Sequence, residues 1–263
     1  MKKKIPLKNG SSVDYYPGTD QKSMLYLHGG GLVYGSKNDL PKELVQVFLN
    51  KGYSILALDY LLAPNNNLRE IIDQLEESVQ LTISEMIGNH PFGICGRSAG
   101  GFLMLQLTKR LIKKDLSPNL LVNFYGYTDL TFINNERKLI DQQISWQQIE
   151  ALDLETPTRD DPLFKRFFLY HYAVQHQKLA DFYGITALDD FDLTDEELTA
   201  FPKTFSSAST TDSEIPFHYS KKIGRLIPNS RFCPVYYLEH DFLKETHTPE
   251  VKVILQKLEN WLD

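Results

Sequence analysis

Gly96-Arg97-Ser98-Ala99-Gly100-Gly101 fits the pattern G-x-S-x-G, and its reading decides the fold. It follows Phe92–Cys95, an apolar run of strand length, and precedes Ala99–Lys113, whose apolar residues recur at helical spacing. A sharp strand-to-helix turn of this kind strains the serine backbone and lifts its hydroxyl to the mouth of a sheet. Glycines two residues before and two after leave room for the crowded approach. The helix N-terminus beside the hydroxyl favours negative charge developing there. Ser98 is therefore the candidate nucleophile. The alternative is a glycine-rich turn in which Ser98 merely caps the helix.

On both sides of this turn, short apolar runs alternate with longer amphipathic stretches. Strands are predicted at Met24–Leu27, Ser54–Leu58, Phe92–Cys95, Leu120–Phe124, Lys203–Ser207 and Val235–Leu238. Helices are predicted over about 38–51, 67–87, Ala99–Lys113, Pro216–Leu226 and Pro249–Leu262. The alternation gives an α/β class with a mostly parallel central sheet and helices on both faces. It breaks at about 129–200, which is rich in charge, aromatics and Gln and has no clear strand. A structureless loop of that length is improbable. The expectation is one domain over 1–263 with a helical cap inserted at about 129–200. Seven of the 24 residues in 160–183 are Phe or Tyr (Phe164, Phe167, Phe168, Tyr170, Tyr172, Phe182 and Tyr183), against a 12% aromatic share overall. Those rings either dock the cap onto the core or line an apolar pocket.

Composition narrows the function classes. The chain has 263 residues, 42% hydrophobic and 24% charged, with a formal charge of −6. A chain of this length buries enough surface to fold without disulfides or metal. The acidic balance argues against nucleic acid, whose phosphates need a basic stripe. No run of 18 apolar residues occurs, so no transmembrane segment is expected. Lys2, Lys3 and Lys4 lack the apolar stretch that would follow in a signal peptide, and they read as a solvated terminus. The two cysteines, Cys95 and Cys233, fall in apolar strand-like runs, which suggests free thiols in a reducing cytoplasm. No Cys/His cluster has zinc-ligand spacing, so no metal site is expected.

A serine nucleophile needs a base, and the base needs an orienting carboxylate. On a sheet of this kind the chain order is Ser, then acid, then His, each in a loop after a strand. Asp212 follows Lys203–Ser207 by a short polar turn, and Glu214 competes two residues on. The acidic run at 189–197 reads instead as a solvated helix start. His240 follows the last predicted strand, and His247 is the weaker candidate seven residues later. His28-Gly29-Gly30-Gly31 follows the first buried strand. A glycine loop there presents backbone N–H groups to a tetrahedral oxyanion, with His28 supporting the loop. Arg97 either meets an acidic substrate group or, the preferred reading, pairs with a nearby carboxylate. An unperturbed imidazole base would set an activity limb near pH ~6.5.

Taken together, His28-Gly29-Gly30-Gly31, Asp59-Tyr60-Leu61-Leu62-Ala63-Pro64 and Gly96-Arg97-Ser98-Ala99-Gly100-Gly101 resemble, in this order, the motifs of the hormone-sensitive-lipase-like esterases of the α/β-hydrolase fold. Leu198-Thr199-Ala200-Phe201-Pro202 and His240-Asp241-Phe242 extend the likeness, which runs over about 28–242. The resemblance implies Ser98, Asp212 and His240 as a catalytic triad. It implies the N–H groups of Gly30, Gly31 and Ala99 as oxyanion donors, and cofactor-free hydrolysis of a small-molecule carboxylic ester. Asp59 and Tyr60 are then structural. An amide or formamide hydrolase on the same triad is the alternative activity, and a non-catalytic ligand-binding protein is the alternative class. Departures from the group are Arg97 where it usually has Asp, Leu62 for Arg, Asn65 for Glu, and Ser213-Glu214 after the acid in place of Pro-Leu. The residues before the first buried strand hold none of the helices that complete the cap in that group.

Overall fold

Met24-Leu25-Tyr26-Leu27 and Ile55-Leu56-Ala57-Leu58 are apolar at every position. A strand buries every position only when both faces of its sheet are covered. The computed structural model describes residues 2–263, apart from the side chains of Leu188 and Asp189. It contains one eight-stranded sheet in the order β1-β2-β4-β3-β5-β6-β7-β8. The strands are β1 (Lys3–Pro6), β2 (Ser12–Tyr16), β3 (Ser23–Leu27), β4 (Ser54–Leu58), β5 (Phe92–Arg97), β6 (Leu120–Phe124), β7 (Thr204–Ser209) and β8 (Arg231–Val235). From β4 across to β8 every neighbouring pair is parallel, whereas β1–β2 and β2–β4 are antiparallel.

The two-residue period of the strands divides the core. Leu25, Leu27, Leu56 and Leu58 join one cluster with Ile71 and Leu75 of α2 (Leu68–Thr82), Phe102 of α3 (Ala99–Ile112) and Ile223 of α7 (His218–Leu226). Met24, Tyr26, Ile55 and Ala57 join the other, against Leu44 and Phe48 of α1 (Lys42–Asn50) and Ile254 and Leu258 of α8 (Pro249–Trp261). From β3 the chain turns to β4 on one side, and from β5 to β6 on the other. Loops at the carboxyl ends of β3 and β5 therefore meet at the switch point where open α/β sheets bind ligands. Between β6 and β7 lie α4 (Phe167–Gln175), α5 (Leu179–Tyr183) and α6 (Asp195–Thr199), and no strand among the described residues. No described helix is long and apolar enough to cross a membrane.

Three expectations need correction or extension. The last strand is Arg231–Val235, not Val235–Leu238. Pro234 lies inside it, tolerated because β8 is an edge strand. Tyr236 and Tyr237, which gave the sequence its strand-like look, are exposed, and Tyr237 has φ 62°. Lys2, Lys3 and Lys4 are exposed as a solvated terminus would be, but the segment is also an unexpected strand: Lys3 and Lys4 pair with Tyr15 and Asp14 in a hairpin, and the Lys2 ammonium lies 2.7 Å from Asp14. The first predicted helix starts later, at Lys42, after Pro41.

Candidate active site

β5 runs straight into α3, and the joint is Ser98, at φ 50° and ψ −119°. A non-glycine residue held there stores strain of about 1–3 kcal/mol, which the packing around it must over-determine. That packing is tight. A Cβ on Gly100 would collide with the carbonyl oxygens of Leu27 and His28, so the elbow sits directly on the end of β3. The Ser98 amide donates to the Phe124 carbonyl at 2.9 Å and locks the turn to β6. Ala99 opens α3, where the first amides lack an intrahelical acceptor.

Asp212 follows β7 and His240 follows β8. The structure brings both to Ser98. His240 Nε2 is 2.9 Å from Ser98 Oγ, and His240 Nδ1 is 2.6 Å from Asp212 Oδ2. An ionised carboxylate only accepts, so Nδ1 carries the proton and the neutral ring offers its Nε2 lone pair to the hydroxyl. Asp212 is itself fixed, because Oδ1 accepts from the amides of Glu214 at 2.9 Å and Ile215 at 2.8 Å. Burial opposes protonation of His240. The charge of Asp212, with Glu214 and Asp241 behind it, outweighs burial and raises the imidazole pKa from 6.5 to about 9. The competitor Glu214 does not touch the imidazole; its Oε1 accepts from Tyr170 Oη at 2.6 Å. His247 lies in a separate groove beside α1 and α8.

The glycine turn reaches the site from the other side. A Cβ on Gly29 would stand 3.4 Å from the Ser98 Cβ. Gly30 has φ 110° and Gly31 φ 56°. At Gly31 only glycine serves, since a Cβ would strike the Tyr170 ring, and Tyr183 Oη donates to the Gly31 carbonyl at 2.8 Å. His28 supports the loop as expected: its Nδ1 is 2.6 Å from the Gly29 carbonyl and its ring stacks on Tyr60 at 4.2 Å. Asp59 accepts from the amide and ammonium of Lys37. Arg166, which the sequence did not single out, ties α4 down by donating to the carbonyls of Val33 and Ala63, both at 2.7 Å. The aromatic run at 164–183 does both jobs suggested for it. Tyr170 and Tyr183 are buried as docking groups, while Phe164 and Phe167 line the cavity.

Arg97 pairs with a carboxylate, and the partner adjoins the histidine. Its guanidinium, 1% exposed, donates to Asp241 Oδ1 at 2.6 Å, Tyr125 Oη at 3.0 Å, Tyr26 Oη at 3.1 Å and the Asp39 carbonyl at 3.0 Å. Burial disfavours its charge, but Asp241 outweighs that and holds the guanidinium pKa above its ordinary value. The elbow and the histidine loop are thus joined by a charged clamp. Above them opens a cavity of about 230 Å³. Ser98, His240 and Gly30 line it, and Gly31 and Ala99 are not among its lining residues.

Residues 24–200 match the family described as alpha/beta hydrolase fold. The chain belongs to the α/β-hydrolase fold family. Within that family it is similar to an alpha/beta hydrolase superfamily protein from Enterococcus faecalis, at 52% identity and TM-score 0.97 over 100% of this chain and 98% of the other. It is 28% identical over 130 residues to a protein named esterase from Acinetobacter venetianus, covering 49% of this chain and 43% of that one. It is 31% identical over 98 residues to the kynurenine formamidase of Salmo salar, covering 36% and 33%. The chain thus spans less than half the length of these two relatives. The resemblance to the hormone-sensitive-lipase-like group, drawn from its motifs, holds.

Proposed function

We propose that the chain is a serine hydrolase that cleaves small carboxylic esters through an acyl-enzyme, as one domain whose segment at about 129–200 caps the site. The observation that carries this reading is the unbroken line Asp212–His240–Ser98, at 2.6 and 2.9 Å. His240 takes the Ser98 proton as Oγ attacks the acyl carbonyl, and Asp212 stabilises the imidazolium. The oxyanion meets the N–H groups of Gly30, Gly31 and Ala99. Collapse expels the alcohol with the proton from His240. Water, deprotonated by the same ring, then releases the acid and restores Ser98. Cys95 and Cys233, buried and unpaired, support a reducing compartment such as the cytoplasm.

A fluorophosphonate probe is expected to label the wild type at Ser98 and to leave Ser98→Ala unlabelled. A wild type that resists the probe would favour a non-catalytic binding protein. The likeness to a kynurenine formamidase keeps amide cleavage in view, and p-nitrophenyl acetate against the matching anilide separates the two activities.

The pH profile supplies a second test. His240 acts as base only when neutral, and its pKa is raised to about 9. The protonated, inactive form therefore dominates at pH 7, and kcat/KM should climb through a limb near pH 9 instead of levelling near 6.5. Glu214→Gln removes one of the charges that hold the proton on, and should move that limb to lower pH. A plateau reached by pH 7 in the wild type would contradict the raised pKa, and a profile flat between pH 5 and 8 would count against His240 as the base.

A further inference from the structure

The cavity above Ser98 holds an excess of negative charge that the triad does not use. In the active form, with His240 neutral, four carboxylates line it, those of Asp39, Glu214, Glu239 and Asp241, against two cations, Arg97 and Lys244. Both cations are already bound to Asp241, Arg97 Nη2 at 2.6 Å from Oδ1 and Lys244 Nζ at 2.7 Å from Oδ2. Arg97 also stands 3.7 Å from Asp39. Among the described residues, Glu214 and Glu239 have no cationic side chain in salt-bridge contact. Glu214 lies nearest the chemistry. Tyr170 satisfies its Oε1, which leaves Oε2 with free lone pairs. Its charge acts on Tyr34, Tyr170, His171 and His240 alike.

A second, independent feature asks for the same kind of ligand. His171 of α4 is 5% exposed and lines the cavity, yet its ring nitrogens have no hydrogen-bond partner among the described residues. Burial holds its pKa below 6.5, so at neutral pH it presents an acceptor nitrogen. The ring nitrogens are accessible from the cavity, so a ligand there that supplies an N–H can bond the acceptor. The Tyr34 and Phe167 rings, 5.7 Å apart, and Phe164 line the same space, and their faces attract a cation. The cavity volume of about 230 Å³ is below the range of drug-sized ligand sites, which suits a short acyl group.

We propose that this site takes short-chain esters carrying a protonated amine a few bonds from the scissile carbonyl, with Glu214 as the main counter-ion, Glu239 adding to the field and His171 accepting an N–H bond. The proposal rests on the hydrolase reading above. Its covalent steps are the same, so that water is split across the acyl–oxygen bond and the amino alcohol leaves with the proton from His240.

The test compares 2-(dimethylamino)ethyl acetate with 3-methylbutyl acetate. The two have the same shape and differ by a protonated nitrogen in place of a C–H at pH 7. Each kcat/KM is divided by the ester's own hydroxide-catalysed rate, which removes intrinsic reactivity. Both esters use the same His240, so a shift of the pH limb cancels in the ratio. The wild type should favour the amino ester by about tenfold or more at low salt. That preference should shrink several-fold in Glu214→Gln, and less in Glu239→Gln. It should also weaken in ~1 M salt, where the Debye length falls to about 3 Å. Monomethyl succinate, an anionic ester, should be the poorest of the three substrates. Turnover of 3-methylbutyl acetate with a ratio near one, or a ratio that neither glutamate variant alters, overturns the proposal and leaves the hydrolase reading standing. No turnover of any ester together with no fluorophosphonate labelling overturns that reading, and this proposal with it.

Discussion

Asp212→Asn is expected to lower kcat by about 10⁴-fold while leaving the fold intact, because it inverts the hydrogen-bond polarity at the far side of the histidine. Asp212 Oδ1 is held by two amides, those of Glu214 and Ile215. An asparagine keeps those bonds only by leaving its oxygen there. Its Nδ2 then faces His240 Nδ1, where a carboxylate oxygen now sits at 2.6 Å. A donor at that point forces Nδ1 to accept, which moves the ring proton to Nε2. Nε2–H then faces Ser98 Oγ across 2.9 Å and cannot take the hydroxyl proton. The geometry survives but the tautomer is wrong, and a 10⁴-fold loss corresponds to about 5.5 kcal/mol in the barrier. Glu214→Gln makes no comparable change, since Gln Oε1 still accepts from Tyr170, and only the field at the imidazole is altered. Steady-state kcat on p-nitrophenyl acetate, with a thermal melt of each variant, separates the two carboxylates. A loss under tenfold in Asp212→Asn, or a larger loss in Glu214→Gln, would remove Asp212 from the triad.

What could be read from the sequence follows from what kind of contact each residue makes. Strands β3 to β7 were visible because they are buried on both faces and bounded by turns, so that local hydrophobicity is enough. The β1–β2 hairpin was not, since Lys3 and Lys4 are exposed and four residues carry little periodicity. β8 was displaced because its own apolar content is interrupted by Pro234, while the exposed Tyr236-Tyr237 pair imitates a strand. Ser98, Asp212 and His240 could be nominated because chain order and a position after a strand constrain each one separately. The partner of Arg97 could not, because the Arg97–Asp241 bond spans 144 residues and no local pattern encodes it. His171 was passed over because it has no place in the Ser–acid–His order, Glu214 was weighed only as a rival to Asp212, and only the cavity shows that the two face the same space.

Arg97→Met should cost about 3 kcal/mol of stability and lower kcat more than it changes KM. Methionine fills much of the arginine volume but supplies none of its donors. It takes a donor away from Tyr125 Oη and Tyr26 Oη, which keep only their own bonds to Asp241 and Asp39, strands the Asp39 carbonyl, and leaves Asp241 without its nearest cation. Breaking a buried ion pair from one side typically costs about 3–5 kcal/mol. The low end applies here, because the Asp241 side chain is 27% exposed and keeps Lys244 at 2.7 Å and Tyr125 at 2.6 Å. Arg97→Lys should recover only part of the loss, since one ammonium cannot span four acceptors that the planar fork reaches together. The kinetic effect has a separate cause. Asp241 adjoins His240, and the Tyr125 ring that Arg97 holds packs edge-on to the imidazole at 4.7 Å. Freed from the clamp, the histidine loop samples positions away from Ser98, and a misplacement of about 1 Å in a reacting group can cost about 10²-fold. Substrate binding, which leans mainly on Glu214, His171 and the Phe164 and Phe167 rings, is less affected. Denaturant midpoints and steady-state kinetics on the three proteins test both parts. If the methionine variant matches the wild type in stability and kcat, the guanidinium contributes only what an apolar side chain of equal size would, and the clamp neither holds the fold nor positions the base.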